Sequence, residues 1–194
     1  MDHVSESLVQ LAGIDHTEDR KYIKVKRMKV VIIGVRHSQQ PDERDADPSE
    51  LRSAKDALEK SIHNVIESYE IRLICEESRS GVYTIAQRLA DRHNPRIRWV
   101  PIEMSPEDEQ AAGIPNATER NKKRRYLDEE TMIWREQRIP EDEVRERFFV
   151  EKISREAGNE NAETILVVCG CGHAQPLKEK FQTLAEQLEV VWLS

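Results

Sequence analysis

The chain has 194 residues, of which 38% are apolar and 35% charged, and its formal net charge is −7. That length suits one well-filled domain. The acidic balance disfavours a general nucleic-acid-binding role, and no apolar stretch approaches the ~20 residues of a membrane span.

Residues 1–27 are mixed and polar and lack the apolar core of a signal peptide. They read as an extension, either a short helix with an extended segment or a partly disordered tail, ahead of a single domain over 28–194. Three cysteines, an odd number, argue against a disulfide framework, and the cytoplasm is the expected compartment.

The first clear strand is Val30-Val31-Ile32-Ile33, a β-branched run that predicts burial on both faces. It runs into Gly34-Val35-Arg36-His37 and then a polar loop, 38–46. Asp47 as cap, Pro48 at the first position and Glu50 predict a helix start, with Leu51, Leu58, Ile62 and Val65 facing inward. A second strand, 71–75, ends in Glu76-Glu77. A helix from Ser80 to Ala90 follows, with Val82, Ile85, Ala86 and Leu89 inward, and it stops before Pro95.

The third strand, 97–102, contains Pro101, which predicts an edge position or a strand end, and it leads to Glu103. Ser105-Pro106 signals a short helix. Residues 117–138 are expected to form a charged, projecting or partner-facing helix. Within it the basic run Lys122-Lys123-Arg124-Arg125 reads as a solvated face. Pro140 starts another helix, to Gly158, with Val144, Phe148, Phe149 and Ile153 as its apolar positions. The fourth strand, 165–169, enters Gly170-Cys171-Gly172-His173. A last helix after Pro176 carries Leu177, Phe181, Leu184 and Leu188, and 190–193 forms the fifth strand.

Strands alternating with helices predict a single three-layer α/β domain, mainly a parallel sheet with helices on both faces. In a parallel sheet all carboxyl ends share one edge, where ligands bind. His37, Glu76, Glu77, Glu103 and His173 are therefore expected to gather there. Two imidazoles and one or more carboxylates suit a divalent metal such as zinc, manganese, iron or cobalt, with His37, His173 and Glu76 as the ligands. Such a metal would make a nucleophile of bound water. The same groups without metal suit general acid–base catalysis. Gly170 and Gly172 leave backbone N–H groups open ahead of a helix, a feature that suits an anion or cofactor. Arg145 and Arg147 lie near the amino end of the preceding helix, in range of the same edge, and Arg36 lies within the first motif. Cys75 and Cys169 fit as small core residues, leaving Cys171 the one cysteine expected to be exposed.

Two Gly-x-x-His segments, a strand-ending glutamate between them and an arginine-bearing helix before the second resemble the TraB, Tiki, ChaN and erythromycin-esterase superfamily. The matching stretches are Gly34 to His37, Ile74-Cys75-Glu76-Glu77, 144–149 and Val167 to His173. The resemblance implies histidines and glutamate in one pocket, with His37, His173, Glu76 and Arg147 as the carried-over residues. It also implies metal-dependent hydrolysis or esterase chemistry, while ChaN-like members bind haem. The expected function is a metal-assisted hydrolase of a small molecule or peptide, using His37, His173, Glu76 or Glu77 and an arginine such as Arg147. The alternative is a non-catalytic ligand- or cofactor-binding module. A third reading is an interaction protein whose charged 117–138 helix recruits a partner, with the pocket vestigial; a two-fold interface burying Met132 and Trp134 would support it, or at least a homodimer.

Overall fold

The computed structural model describes residues 28–43, 47–78, 81–93, 97–128, 131–182 and 187–192. The extension 1–27 lies outside them. In chain order the elements are β1 (Lys29–Val35), a 3₁₀ turn (His37–Gln39), α1 (Ser49–Ser68), β2 (Leu73–Glu76), α2 (Ile85–His93), β3 (Arg98–Pro101), α3 (Pro106–Ala111), α4 (Ala117–Arg124), β4 (Arg125–Asp128), β5 (Ile133–Glu136), α5 (Pro140–Glu160), β6 (Thr164–Gly170), α6 (Cys171–Phe181) and β7 (Gln187–Trp192).

Five strands form one sheet in the order β3-β2-β6-β1-β7, and every pairing is parallel. The expected α/β fold is therefore observed. The most apolar strands, β1 and β6, sit in the middle, and β3, which ends in Pro101, lies at an edge. Strand pleating sends alternate side chains to opposite faces. Val31, Ile33, Ile74, Leu166 and Val168 pack against Leu58, Ile62 and Val65 of α1 and Ile85, Ala86 and Leu89 of α2. Val30, Ile32, Cys75, Ile165 and Val167 pack on the other side, against Phe149, Ile153 and Ala157 of α5 and Ala174, Leu177 and Phe181 of α6. No helix among the described residues is long and apolar enough to cross a membrane.

This topology creates the site. β1 and β6 are neighbours, with Val35 beside Gly170. The chain leaving β1 enters α1 on one face, whereas the chain leaving β6 enters α6 on the other. Connections that part in this way open a crevice at the carboxyl edge. Both Gly-x-x-His segments line it.

Several local expectations need correction. The α1 helix begins at Ser49 with Pro48 as its cap, and Asp47 instead pairs with the buried Lys55 at 2.5 Å. α2 begins at Ile85, where the Thr84 hydroxyl accepts from the Gln87 N–H, and Val82 is left 39% exposed. Ser105 caps α3 as its sequence suggests, accepting from the Asp108 N–H.

The region 117–138 is not one helix. It is α4 followed by an antiparallel hairpin of β4 and β5. Tyr126, Leu127 and Ile133 are β-prone, and the strands satisfy each other's backbone groups across a turn in which Met132 adopts φ 55°. Met132 is 71% exposed, and the Trp134 side chain lies outside the described residues. The last helix starts at Cys171, directly from the strand, so Pro176 lies inside α6 at the cost of one helical hydrogen bond. Leu188 belongs to β7, and Leu184 and Leu193 lie outside the described residues.

Candidate active site

The site is built on one carboxylate. Glu77 follows β2 directly, and its N–H donates to the Val168 carbonyl of β6 at 2.8 Å. This extends the β2–β6 ladder by one residue and holds Glu77 against the crevice. Its side chain is fully buried. Oε2 accepts from the Gly170 N–H at 2.8 Å, and Oε1 accepts from Arg145 Nη2 at 2.8 Å. The His173 Nε2 lies 3.5 Å and the His37 Nε2 3.8 Å from that same Oε1. Two histidines 136 positions apart in sequence thus flank a single oxygen. Burial opposes ionisation of Glu77, but the Arg145 guanidinium, the Gly170 N–H and the attraction of His173 and His37 in their protonated forms, the strongest of these pulls, outweigh it and hold the carboxyl below its usual value.

His173 stands in the first turn of α6 and is buried. Its Nδ1 meets Glu146 Oε1 at 2.9 Å, and its Nε2 meets Arg145 Nη1 at 3.2 Å. A guanidinium only donates and a carboxylate only accepts. The ring therefore carries its proton on Nδ1 and offers Nε2 as acceptor. Phe149 closes one side with an edge contact, ring centroids 5.8 Å apart. Glu146 is itself held by Arg138, Nη1 to Oε1 at 2.6 Å and Nη2 to Oε2 at 2.5 Å. Arg145 Nη2 also reaches Glu103 Oε1 at 2.6 Å.

His37 differs. Its side chain is 61% exposed and opens to solvent. Its Nδ1 contacts Gln40 Oε1 at 3.0 Å, and its Nε2 makes no hydrogen bond among the described residues. Its ring lies over Gly170. A Cβ at 170 would stand 2.8 Å from His37 Nε2 and 3.3 Å from Glu77 Oε2, so only glycine admits this approach.

Glu76, expected beside the histidines, points to the other face. Pleating requires it, because Ile74 two residues earlier packs toward α1 and α2. Its carboxyl accepts from the Thr84 hydroxyl at 2.5 Å, Trp99 Nε1 at 2.8 Å and Gln40 Nε2 at 3.3 Å. Burial pushes its pKa up to about 7, against the downward pull of those three hydrogen bonds.

Arg147 also lies outside the cluster, largely exposed and 3.9 Å from Glu143. The Gly170 N–H is committed to Glu77, and Gly172 lies in the first turn of α6 with open space around it. Arg36 caps the 3₁₀ turn at the surface. Cys75 and Cys169 are buried, and burial pushes both thiols up, whereas Cys171 is exposed.

Sequence reasoning missed Glu146, Arg138 and Gln40. For Glu146 a signal existed: it lies three residues before Phe149 on the stripe of α5 that is buried at 142, 145, 146, 149, 153 and 157. Arg138 and Gln40 carry no such periodic signal.

The donor set as arranged does not fit a divalent metal. The Arg145 guanidinium already occupies Glu77 Oε1 and His173 Nε2, and Glu76 faces away. A cation would have to displace a buried cation from both. The cluster can instead move protons: one imidazole open to solvent, one held by a buried carboxylate, and a fixed anion between them.

Comparison with known proteins returned no match: no family model, no curated protein and no solved structure is significantly similar to this chain.

Proposed function

We propose that this chain is a hydrolase of a small molecule or peptide that works by histidine acid–base chemistry at the carboxyl edge of the sheet. The supporting observation is the pair of imidazoles whose Nε2 atoms flank one Glu77 oxygen, 3.8 and 3.5 Å away, with His37 open to solvent. His37 accepts a proton from a water that attacks the substrate carbonyl. The buried Glu77 charge stabilises the imidazolium that forms, and the imidazolium returns the proton to the leaving group. Arg145 holds Glu77 and His173 in place. The resemblance to the erythromycin-esterase group points the same way.

A screen of activated esters and amides tests this. The wild type turns over at least one class, and His37→Ala loses about 10²–10⁴-fold, the usual worth of a positioned acid–base group. Activity withstands exhaustive chelation, and metal content is equal in the wild type and in the His37→Ala, His173→Ala double variant. No turnover of any class, or full activity in His37→Ala, refutes the reading.

A further inference from the structure

We infer that Gln40 is a positioning residue that fixes the tautomer of His37. The Gln40 side chain is buried, with the residue 4% exposed, and lies directly behind the imidazole. It meets three atoms. Two of them are acceptors: Glu76 Oε1 at 3.3 Å and the Glu77 backbone carbonyl at 3.0 Å. The amide nitrogen must face these two. With Glu76 ionised, flipping the amide would set its oxygen against both and lose two hydrogen bonds. With Glu76 protonated only the closer Glu77 carbonyl, at 3.0 Å, still requires the amide nitrogen, so the orientation is firmest once Glu76 is ionised.

The oxygen is then left for His37 Nδ1, 3.0 Å away. An amide oxygen accepts only, so Nδ1 must carry the hydrogen. In the neutral ring the lone pair therefore sits on Nε2, which is the atom turned toward Glu77 and Gly170. An unrestrained histidine side chain favours the opposite tautomer, with the hydrogen on Nε2. Gln40 thus reverses the ordinary preference and aims the basic nitrogen into the crevice. His173 reaches the same state by different means, through Glu146. If the hydrolase reading holds, Gln40 decides which His37 nitrogen takes the proton; the tautomer itself stands or falls without it.

The test is a two-bond ¹H–¹⁵N correlation spectrum of the imidazoles in the full-length ¹⁵N-labelled chain. It is recorded where His37 is neutral and assigned by the loss of signals in His37→Ala. The wild type shows a protonated Nδ1 and an unprotonated Nε2 for His37. Gln40→Leu moves His37 toward the Nε2-protonated pattern. A wild-type His37 protonated on Nε2 overturns the inference, and this outcome needs no variant to fold. So does an unchanged pattern in a folded Gln40→Leu. Since the spectrum involves no substrate, its failure is separate from failure of the hydrolase screen.

Discussion

Replacing Glu76 by glutamine should alter how stability depends on pH. Glu76 is buried against Thr84, Trp99 and Gln40, and burial raises its pKa from 4.5 to about 7. Below pH 4.5 the carboxyl is protonated in both folded and unfolded chains. As the pH rises the unfolded chain releases this proton first, while the folded chain keeps it until about pH 7. The native state thus binds more protons across that window, and stability falls as pH rises through it. At 1.36 kcal/mol per pKa unit, the loss amounts to about 3 kcal/mol, and it stays constant above pH 7. Glutamine holds no such proton. Urea denaturation of wild type and Glu76→Gln at several pH values between 4 and 8 isolates this contribution, because other titrating groups cancel in the difference. The variant should gain about 3 kcal/mol on the wild type between pH 4 and pH 8. A difference that stays flat to within about 1 kcal/mol over that range would show that Glu76 is not a buried, proton-holding carboxyl.

Two further substitutions probe the neighbouring cluster. Gly170→Ala places a methyl group 2.8 Å from His37 Nε2, and the exposed imidazole can swing away, so stability should change by less than about 1 kcal/mol while turnover drops about 100-fold. Retained turnover in that variant would show that the packing of His37 on Gly170 is incidental. Arg145→Met leaves Glu77 buried without its guanidinium partner, and denaturation should report a loss of about 3–5 kcal/mol. A neutral result there would mean that the carboxylate escapes to water or is not charged.

Glu76 and Glu77 illustrate how far a linear reading reaches. Their position at the end of a strand, at the ligand-binding edge, is legible from Ile71 to Cys75 alone. That pleating must part them is legible too. Which of the two meets His173 is not, because that depends on which face α5 and α6 cover. The same holds for α5. Its helical character is plain from Pro140 onward, and Phe149 and Ile153 are buried as expected, but the sequence leaves both Arg145 and Arg147 in range of the edge and the family resemblance carries over Arg147. The helix in fact buries the stripe through Arg145, Glu146 and Phe149. The hairpin of β4 and β5 is not legible in the sequence, because each four-residue strand is defined by its partner rather than by its own residues.

Apolar β-branched runs and helical periodicity are local properties, set by side-chain shape and burial along a few consecutive residues. They suffice to mark β1 and β6, the helices between strands, and a histidine after each of those two strands. Neighbourhood across the sheet is a different kind of information. The strand order β3-β2-β6-β1-β7 sets Val35 beside Gly170, and only that adjacency brings His37, Glu77 and His173 around one oxygen. The partners behind each ring, Gln40 and Glu146, were likewise decided by tertiary packing, because buried polar atoms must find hydrogen bonds among whatever groups the fold brings within reach.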